Sequence, residues 1–435
     1  MVLEKPIGRR LRIPKAINAI RSLEASDSDA LQLLIMTQFF PPDFAATGQL
    51  IDELVTQLGN QGTNVSVFTG QPGYAFQKGE APQVEKRGRV LVKRSRMTQL
   101  FPSRIRGKAL SGLLFAIRCI FHIAKQAKQY QVLLVTTAPP FLPVIGYFAN
   151  LFLKLPYVCL LYDLYPDIAI ELNVVTAKHP IARLWQLINR QVWKRSAGII
   201  VLSDSMKSRI IAHCPDVADK ISVIHSWSND KKIIPISKSD NWFAKEHHLD
   251  EQFVVLYSGN MGRCHDIDTL FQAALKLKDH PILFVCIGGG AKRSKLKEQI
   301  NAHGLTNFRF LPYQEKSVLP YSLTASDVSL VSVAPKMESL VAPSKLYPAM
   351  AAGRPIAAIC PPTSYLRSLL KTSQGGETFD NGNAQALADY ILHLFNHPDK
   401  AKQIGESSRQ YMQAHFTPNI ISKQYLEVLK AAPND

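Results

Sequence analysis

The chain alternates short β-branched runs with helix-like segments, and this alternation occurs in two separate series. Each run is followed by a loop containing Gly or Pro and then by a segment with helical spacing, which is typical of βαβ units with parallel strands. The first series comprises residues 31–39, 65–70, 132–137, 157–163 and 198–203. The second comprises residues 253–259, 282–288, 308–312, 328–333 and 355–360. The sequence therefore predicts an α/β protein with two Rossmann-like domains whose parallel sheets face a central cleft.

A polar stretch rich in Lys and Asp, around residues 228–246, separates the two series. We place the first domain at residues 31–228 and the second at residues 229–406, and both lengths are ordinary for single domains. A basic and polar extension, residues 1–30, precedes the first domain. An apolar-periodic segment with a tail, residues 407–435, follows the second and is predicted to be helical.

Cysteine spacing and the N-terminal residues indicate the compartment. The six cysteines lie far apart with no Cys-x-x-Cys pair, which argues against a zinc module or a disulfide-stapled secreted fold. The N-terminal residues are basic but lack the apolar core of a signal peptide. We therefore expect a cytoplasmic protein.

The net charge is strongly positive and unevenly distributed. Lys and Arg number 51 against 34 Asp and Glu, which gives +17, and residues 1–130 carry +10 of this charge. Such an asymmetry indicates an anionic partner, which could be membrane lipid, nucleic acid or a phosphorylated substrate. A solvated basic face without a partner is the alternative.

Two segments raise the question of a membrane. Residues 132–153 contain no charged side chain and are long enough to span a bilayer, but three prolines interrupt them, so we predict a strand, a turn and a helix instead. Residues 86–108 are basic and lead into an apolar helical stretch that ends near residue 128. That combination suits attachment to an anionic membrane face, and it equally suits a core helix capped by a solvated loop.

Loops rich in small residues follow three of the predicted strands. Residues 39–50, at the end of the first strand, include Gly48. Residues 257–266, YSGNMGRCHD, occupy the corresponding place in the second domain, and a helix is predicted to begin near Asp266. Residues 287–296, IGGGAKRSKL, form the third loop. Backbone N–H groups in such loops can approach an anion closely, so two opposed domains with these loops favour a nucleotide site in the cleft.

Residues 338–359, ESLVAPSKLYPAMAAGRPIAAI, are the most specific segment. The pattern predicts a helix that begins near Lys345, is capped by Ser344, and ends at residues 353–355 before the next strand. A lysine at this end of a helix opposes the helix dipole. A bound anion would remove that conflict, so we predict an anion next to Lys345.

The segments GNMGRCHD, the triple-glycine loop and PSKLYPAMAAGRPI resemble glycosyltransferase family 4, the group 1 glycosyltransferases, which have the GT-B fold. The similarity is strongest to bacterial members that build exopolysaccharide, capsule or O-antigen. YDLYPD at residues 162–167 and FFPPDFAATG at residues 39–48 also match that subgroup. The resemblance covers roughly residues 31–430 and is more specific in the second domain.

The resemblance implies a retaining transferase that uses a nucleotide-diphospho-sugar as donor substrate, with no cofactor and no metal at the diphosphate. The first domain would bind the acceptor and the second the donor. Helix N-termini and basic side chains would neutralise the leaving diphosphate. The Asp-Ser-Asp at residues 27–29 lies in the N-terminal extension and is not a metal motif at a strand end.

The resemblance also assigns residues. Four of them would surround the diphosphate: Gly48, Gly259, Arg263 and Lys345. Tyr313, in the loop of residues 311–314, would lie at the base. The remaining donor-binding candidates are Asn260, Gly262, His265, Gly288, Gly289, Ser344 and Leu346.

The chain departs from the family pattern at two glutamates eight positions apart. Leu340 and Pro348 stand at those positions, and Glu338 replaces the first glutamate only with a two-residue shift. Asn260 and His265 stand where the family has an Arg and a Lys, for which Arg263 and Lys345 could compensate. We therefore name Glu338, Arg263 and Lys345 as catalytic candidates.

Asp163 is the fourth catalytic candidate, because it follows a buried strand and faces the cleft in the family fold. It would orient the acceptor or the donor sugar; a helix-capping or loop-stabilising aspartate is the alternative.

We accordingly predict transfer of a sugar to a lipid-linked or oligosaccharide acceptor in cell-surface polysaccharide synthesis, on the cytoplasmic face of an anionic membrane and without nucleic acid. A UDP-sugar 2-epimerase on the same fold is the enzymatic alternative. A basic nucleic-acid-binding protein, which no recognisable motif supports, and an inactive family relative are the others.

Overall fold

The computed structural model describes residues 30–43, 45–72, 81–95 and 105–434. The Asp-Ser-Asp at residues 27–29, nearly all of the predicted N-terminal extension, and residues 96–104 of the predicted basic run lie outside the described residues. Within the described residues, two parallel sheets form the framework of two α/β domains.

The first sheet has eight strands in the order β3-β4-β2-β1-β5-β6-β7-β8. All neighbouring pairs are parallel except β3 with β4. The strands are β1 (Gln32–Met36), β2 (Asn64–Thr69), β3 (Val84–Arg87), β4 (Val90–Arg94), β5 (Val132–Thr136), β6 (Tyr157–Leu161), β7 (Gly198–Val201) and β8 (Ile221–Val223). Strands β5, β6 and β7 are buried at every residue, as expected for a sheet covered on both faces.

The second sheet has six strands in the order β11-β10-β9-β12-β13-β14, all of them parallel. The strands are β9 (Phe253–Ser258), β10 (Ile282–Ile287), β11 (Phe308–Leu311), β12 (Val328–Ser332), β13 (Ile356–Ile359) and β14 (Gly376–Phe379). Each of the ten predicted runs overlaps one of these strands. Strands β3, β4, β8 and β14 were not predicted, and the first three belong to the first sheet.

Helices cover the sheets and connect their strands. Those of the first half are α1 (Ala46–Asn60), α2 (Ile105–Gln126), α3 (Pro143–Leu153), α4 (Asp167–Glu171), α5 (Pro180–Arg195) and α6 (Asp204–His213). Those that follow are α7 (Trp242–Glu246), α8 (Asp268–Lys276), α9 (Arg293–Ala302), α10 (Leu319–Thr324), α11 (Leu346–Ala351), α12 (Tyr365–Ser373), α13 (Ala384–Asn396), α14 (Pro398–His415) and α15 (Pro418–Ala431). The strand, turn and helix predicted for residues 132–153 are β5 and α3, which confirms that prediction.

The C-terminal segment is two helices rather than one. Residue 407 lies inside α14, which packs on the second domain against α11 and α12. Pro418 then starts α15, and Thr417 caps it by accepting a hydrogen bond from the Ile420 N–H. Helix α15 packs against α1, so the end of the chain returns to the first domain.

The described part of the predicted basic run does not form a free basic loop. Residues 84–94 form the β3-β4 hairpin at the sheet edge, where Arg87 binds Asp52 at 2.7 Å and Arg94 binds Glu85 at 2.9 Å. The Arg94 side chain is only 2% exposed. The carboxylates of Asp52 and Glu85 therefore pair with two arginines of this run, because the hairpin brings them into contact.

Candidate active site

The three loops of the second domain meet at one edge of its sheet. Strands β9, β10 and β11 are neighbours, so their carboxyl ends lie side by side. The Gly259 N–H donates to the Ile287 carbonyl at 2.8 Å, and the Met261 N–H donates to the Gly289 carbonyl at 2.7 Å. The Gly288 N–H donates to the Leu311 carbonyl at 3.0 Å. The predicted glycine loops, including Asn260 and Gly262, therefore form a single surface at the cleft.

Close packing explains why glycine stands at Gly288. Its φ is +121°, and a Cβ there would lie 2.4 Å from the Gly259 carbonyl oxygen. The ring of Tyr313, at the end of β11, lies 3.2 Å from where a Cβ of Gly289 would be. The ring is 40% exposed, so the glycine loops and Tyr313 present a flat, accessible surface that a planar ring could contact.

Lys345 reaches this surface from the following segment of the chain. Its Nζ donates to the Tyr257 hydroxyl oxygen at 2.6 Å and to the Asn260 carbonyl at 3.3 Å, and it lies 4.1 Å from the centre of the Tyr257 ring. Burial lowers the pKa of Lys345 to about 7. No carboxylate forms an ion pair with it anywhere in the described chain. A desolvated ammonium group without an anion is what a bound phosphate would satisfy.

Helix α11 begins near Lys345 as predicted, but the predicted cap was wrong. The helix begins at Leu346, after a turn in which the Leu346 N–H donates to the Pro343 carbonyl at 3.2 Å, and Lys345 occupies the capping position without a side-chain bond. Ser344 is therefore not the cap. Leu346 is fully buried in the core, and its N–H already has an acceptor, so it has no group to offer a donor. The predicted end of the helix before β13 is confirmed.

His265 is neutral and tied to the sheet. Its Nδ1 lies 2.8 Å from the Ser332 carbonyl, and burial, with the charge of Lys345, lowers its pKa to about 3. It therefore does not supply the cation that its position in the loop suggested. Lys292, which sequence reasoning missed although its loop was singled out, donates to the His265 carbonyl at 2.5 Å. Arg263 is exposed on the same loop and forms no ion pair with any described residue.

Gly48 lies in the first turn of α1, across the cleft in the first domain. A Cβ there would lie 3.0 Å from the backbone of both Phe39 and Phe40. This contact explains the glycine by the packing of α1 on the loop after β1. The role of Gly48 at a diphosphate stays a prediction.

Asp163 lies where the two domains meet. It forms an isolated antiparallel bridge with Val341, and the next N–H, of Leu164, donates to the Leu340 carbonyl at 3.2 Å. Burial raises the pKa of Asp163 to about 6. Burial and the charge of Asp163 together raise the pKa of the Cys264 thiol to about 11, so this carboxyl group lies near the second-domain loop.

Glu338 faces a cavity of about 610 Å³ between α6 and α12. One of its carboxylate oxygens, Oε1, accepts a hydrogen bond from the Thr363 hydroxyl at 3.0 Å, and Oε2 is buried without a partner among the described residues. Arg209 lines the same cavity and is held by the Asp167 carboxylate at 2.5 Å. Leu340, by contrast, is fully buried, so its side chain cannot replace the family glutamate.

Among the described residues, no group of three or more His, Cys, Asp or Glu side chains is placed to hold a metal ion.

Two α/β domains, each built on a parallel sheet, form the GT-B fold, which solved structures of sugar transferases share. The solved sucrose-phosphate synthase of Thermosynechococcus elongatus matches 92% of this chain and 98% of its own with a TM-score of 0.73 and 17% identity. HepE from Anabaena, in complex with UDP, matches 92% of this chain and 100% of its own with a TM-score of 0.69 and 15% identity.

Sequence comparisons identify the family. Residues 238–411 match the family model of glycosyl transferases group 1, and residues 47–229 match that of glycosyltransferase family 4. Two glycosyltransferase models thus match the two halves of the chain, and the protein is a glycosyltransferase.

Two relatives from bacteria match about three quarters of the chain. WbjE of Pseudomonas aeruginosa, described as a probable glycosyltransferase, is 22% identical over 74% of this chain and 80% of its own length. WcaI of Escherichia coli K12, described as a colanic acid biosynthesis glycosyl transferase, is 25% identical over 74% of this chain and 82% of its own length. These findings support a role in polysaccharide biosynthesis and do not favour the epimerase or nucleic-acid-binding alternatives.

Proposed function

We propose that the protein is a retaining, metal-independent glycosyltransferase that moves a sugar from a nucleotide-diphospho-sugar to a lipid-linked glycan. It would act at the cytoplasmic face of the plasma membrane in the synthesis of a cell-surface polysaccharide. The description of WcaI as a colanic acid enzyme and the solved complexes of HepE with UDP and UDP-glucose support this assignment.

The unpaired ammonium group of Lys345 is the observation that carries the proposal. Cleavage of the bond between the sugar and the diphosphate leaves additional negative charge on the departing oxygen. Lys345, held over Gly259 by Tyr257 and Asn260, would neutralise that charge, and Lys292 would add a second cation near the same loop. The base would lie on the glycine loops beside Tyr313.

Two carboxyl groups would act on the sugar side of the cleft. Asp163 lies near the loop of the second domain and would orient the acceptor hydroxyl or the transferred sugar. Glu338 would bind sugar hydroxyls, since its buried Oε2 lacks a partner among the described residues and its cavity has room for a sugar ring.

A panel of UDP-, GDP- and dTDP-sugars, tested by thermal shift on the purified protein, would identify the donor, because a ligand that binds the folded state raises the melting temperature. The donor that binds would then be incubated with a lipid-linked acceptor, and the anomeric configuration of the product determined by NMR. Retained configuration is expected. Inversion would refute the retaining mechanism, and saturable binding without transfer to any acceptor would favour the inactive relative.

Chelation of divalent metal with EDTA is expected to leave the transfer rate nearly unchanged, because cationic side chains would neutralise the diphosphate. The measurement is the initial rate with and without EDTA, followed by addition of magnesium or manganese. Complete loss of transfer that either metal restores would mean that a metal ion holds the leaving group instead.

The rate is expected to depend on pH with two limbs. The pKa of Asp163 is raised to about 6, so a required carboxylate would be lost as the pH falls below 6. The pKa of Lys345 is lowered to about 7, so a required ammonium would be lost as the pH rises above 7. The profile of kcat/KM, which reports the free enzyme, should therefore be bell-shaped.

Each limb has its own control variant. Asp163→Asn should remove the acid limb and lower the plateau. Lys345→Arg should remove the alkaline limb, because a guanidinium stays charged throughout this range. If both variants keep the acid and alkaline falls in rate, then groups other than Asp163 and Lys345 cause them.

A further inference from the structure

Large apolar side chains are exposed on one side of the first domain, along three neighbouring helices. Helix α2 packs beside α3, and α3 packs beside α5. Helix α2 connects β4 to β5, α3 connects β5 to β6, and α5 lies between β6 and β7 in the chain. Each connection leads toward the β8 edge of the sheet, so right-handed crossovers place the three helices on the same face. The exposed residues are Leu110, Leu113, Ile117, Ile120 and Phe121 on α2, Phe148, Phe152 and Leu153 on α3, and Ile181, Leu184, Leu187 and Ile188 on α5. We call this surface the three-helix face.

Helix α2 is apolar on both sides. Its outward residues recur every three or four positions from Leu110 to Phe121, whereas Phe115, Cys119 and Ile123 on the opposite side belong to the core. The stretch Leu110–Gln129 is long and apolar enough to cross a membrane by length and composition. However, α2 connects β4 to β5 and fills the core, so it cannot leave the domain without exposing that core. It therefore lies along the surface.

The other two helices extend the apolar surface. On α3, the rings of Phe148 and Phe152 stack at 6.0 Å, and Phe152 is 72% exposed. On α5, Ile181, Leu184 and Ile188 form an outward stripe at helical spacing. So many large apolar side chains exposed on three neighbouring helices are unusual on a monomeric soluble protein and mark an interaction site.

The charge of the three-helix face indicates the partner. The sequences of α2, α3 and α5 contain eight Lys and Arg and no Asp or Glu. Arg183 and Arg190 are exposed on α5, and neither forms an ion pair with a described residue. Two copies of such a face would repel each other, whereas an anionic lipid surface would attract it.

We propose that the three-helix face docks on an anionic lipid bilayer, with its apolar residues at the boundary of the headgroups and Arg183 and Arg190 against lipid phosphates. This surface differs from the basic run of the β3-β4 hairpin, where Arg87 and Arg94 are paired with carboxylates within the protein.

The location of the face fits the proposed function, on which this part of the inference rests. Gly112 of α2 packs against Pro139 and Phe141 in the loop that leaves β5 at its carboxyl end. One end of the face therefore lies at the edge of the cleft. A glycan attached to a lipid in the same bilayer would enter the cleft from that edge.

The test is sedimentation of the full chain with vesicles of phosphatidylcholine alone and of phosphatidylcholine with phosphatidylglycerol. We expect binding to the anionic vesicles, partly released by salt. The double variants Phe148→Gln/Phe152→Gln and Arg183→Glu/Arg190→Glu should each lower the partition coefficient about tenfold or more. Matched controls on other surfaces are Ile234→Gln, which is 54% exposed, and Lys276→Glu/Lys278→Glu, and these should bind like the parent.

Three outcomes would overturn the docking proposal. They are absence of binding to both kinds of vesicle, an equal loss in the control variants, and a dimer seen by light scattering that only the face variants dissolve. The last would assign the face to a second copy of the chain.

Measurements of UDP binding and of donor hydrolysis, both without vesicles, test the proposed function independently of membrane docking. Face variants that lose vesicle binding but keep both activities support docking by this surface. A parent protein that binds vesicles but no nucleotide would contradict the proposed function and leave the docking proposal supported.

Discussion

Lys345→Ala is expected to lower kcat/KM by about thirtyfold or more, because removing one charged partner of a desolvated phosphate costs about 2–5 kcal/mol and each 1.4 kcal/mol is about tenfold. Among the described residues, the hydrogen bonds of the ammonium group go to neutral atoms of Tyr257 and Asn260, so no carboxylate offsets the charge that Lys345 would bring to the diphosphate. Initial rates over a range of donor concentrations separate the two ways in which the effect can arise. A loss in kcat means that the lysine stabilises charge that develops during cleavage. A loss in donor affinity means that it binds the diphosphate equally well before cleavage and in the transition state.

Arg263→Ala is the comparison that makes this result specific. Arg263 lies on the adjoining loop but is exposed to solvent, which screens its charge, so we expect only a few-fold loss. A parent-like rate for Lys345→Ala would contradict the phosphate role. Equal losses in both variants would mean that the whole loop, rather than one buried cation, binds the diphosphate.

Stability separates a chemical role for Lys345 from a structural one. Its pKa is lowered to about 7 in the folded chain, below the ordinary value of 10.5, so the folded state disfavours the charged form. Between about pH 10.5 and 7 the lysine is protonated in the unfolded chain but not in the folded one. The free energy of unfolding therefore falls as the pH is lowered through this range. The isosteric Lys345→Met should accordingly melt at or above the parental temperature at neutral pH while losing activity. A large fall in melting temperature would indicate a structural role.

The fold was predictable because the pattern that specifies it is local. Buried parallel strands appear as uninterrupted β-branched runs, and each of the ten runs overlaps a strand. The β3-β4 hairpin was missed because five of its nine strand residues are charged, so it lacks the apolar run of a buried strand. Its ion pairs with Asp52 and Glu85 are contacts that composition does not reveal. Strand β14, at the other sheet's edge, is short and half-exposed, so it lacks the same signal.

The candidate site was predictable only in part. The resemblance implied that the glycine loops and Tyr313 bind one donor. They do lie together, because the parallel strands β9, β10 and β11 end at the same edge of the sheet. The contact between Lys345 and Tyr257 joins residues 88 positions apart, and no sequence pattern signals it. The Ser344 cap was wrong because a turn from Pro343 to Leu346 delays the helix by one residue.

Gly288→Ala is expected to lower kcat/KM by about a hundredfold, since displacing a binding loop by about 1 Å can have an effect of that size. The new Cβ would lie 2.4 Å from the Gly259 carbonyl oxygen and 3.1 Å from the Tyr313 ring, at a φ of +121°. The colliding atom belongs to the Gly259 backbone, which cannot rotate away as a flexible side chain can. The loops after β9 and β10 must therefore move apart. Donor affinity, measured by titration calorimetry with the nucleoside diphosphate, should fall together with the rate.

Gly304→Ala is the matched control for this substitution. Gly304 also has a positive φ, +62°, but a Cβ there meets nothing within 4 Å, so the change adds backbone strain without a collision. It lies in the second domain between α9 and β11, away from the loops that face the cleft. We expect parental donor affinity and a slightly lower melting temperature. If Gly288→Ala also binds donor like the parent while remaining folded, then the contact between the two glycine loops does not shape the nucleotide surface, and the donor must be held by Lys345 and the first domain alone.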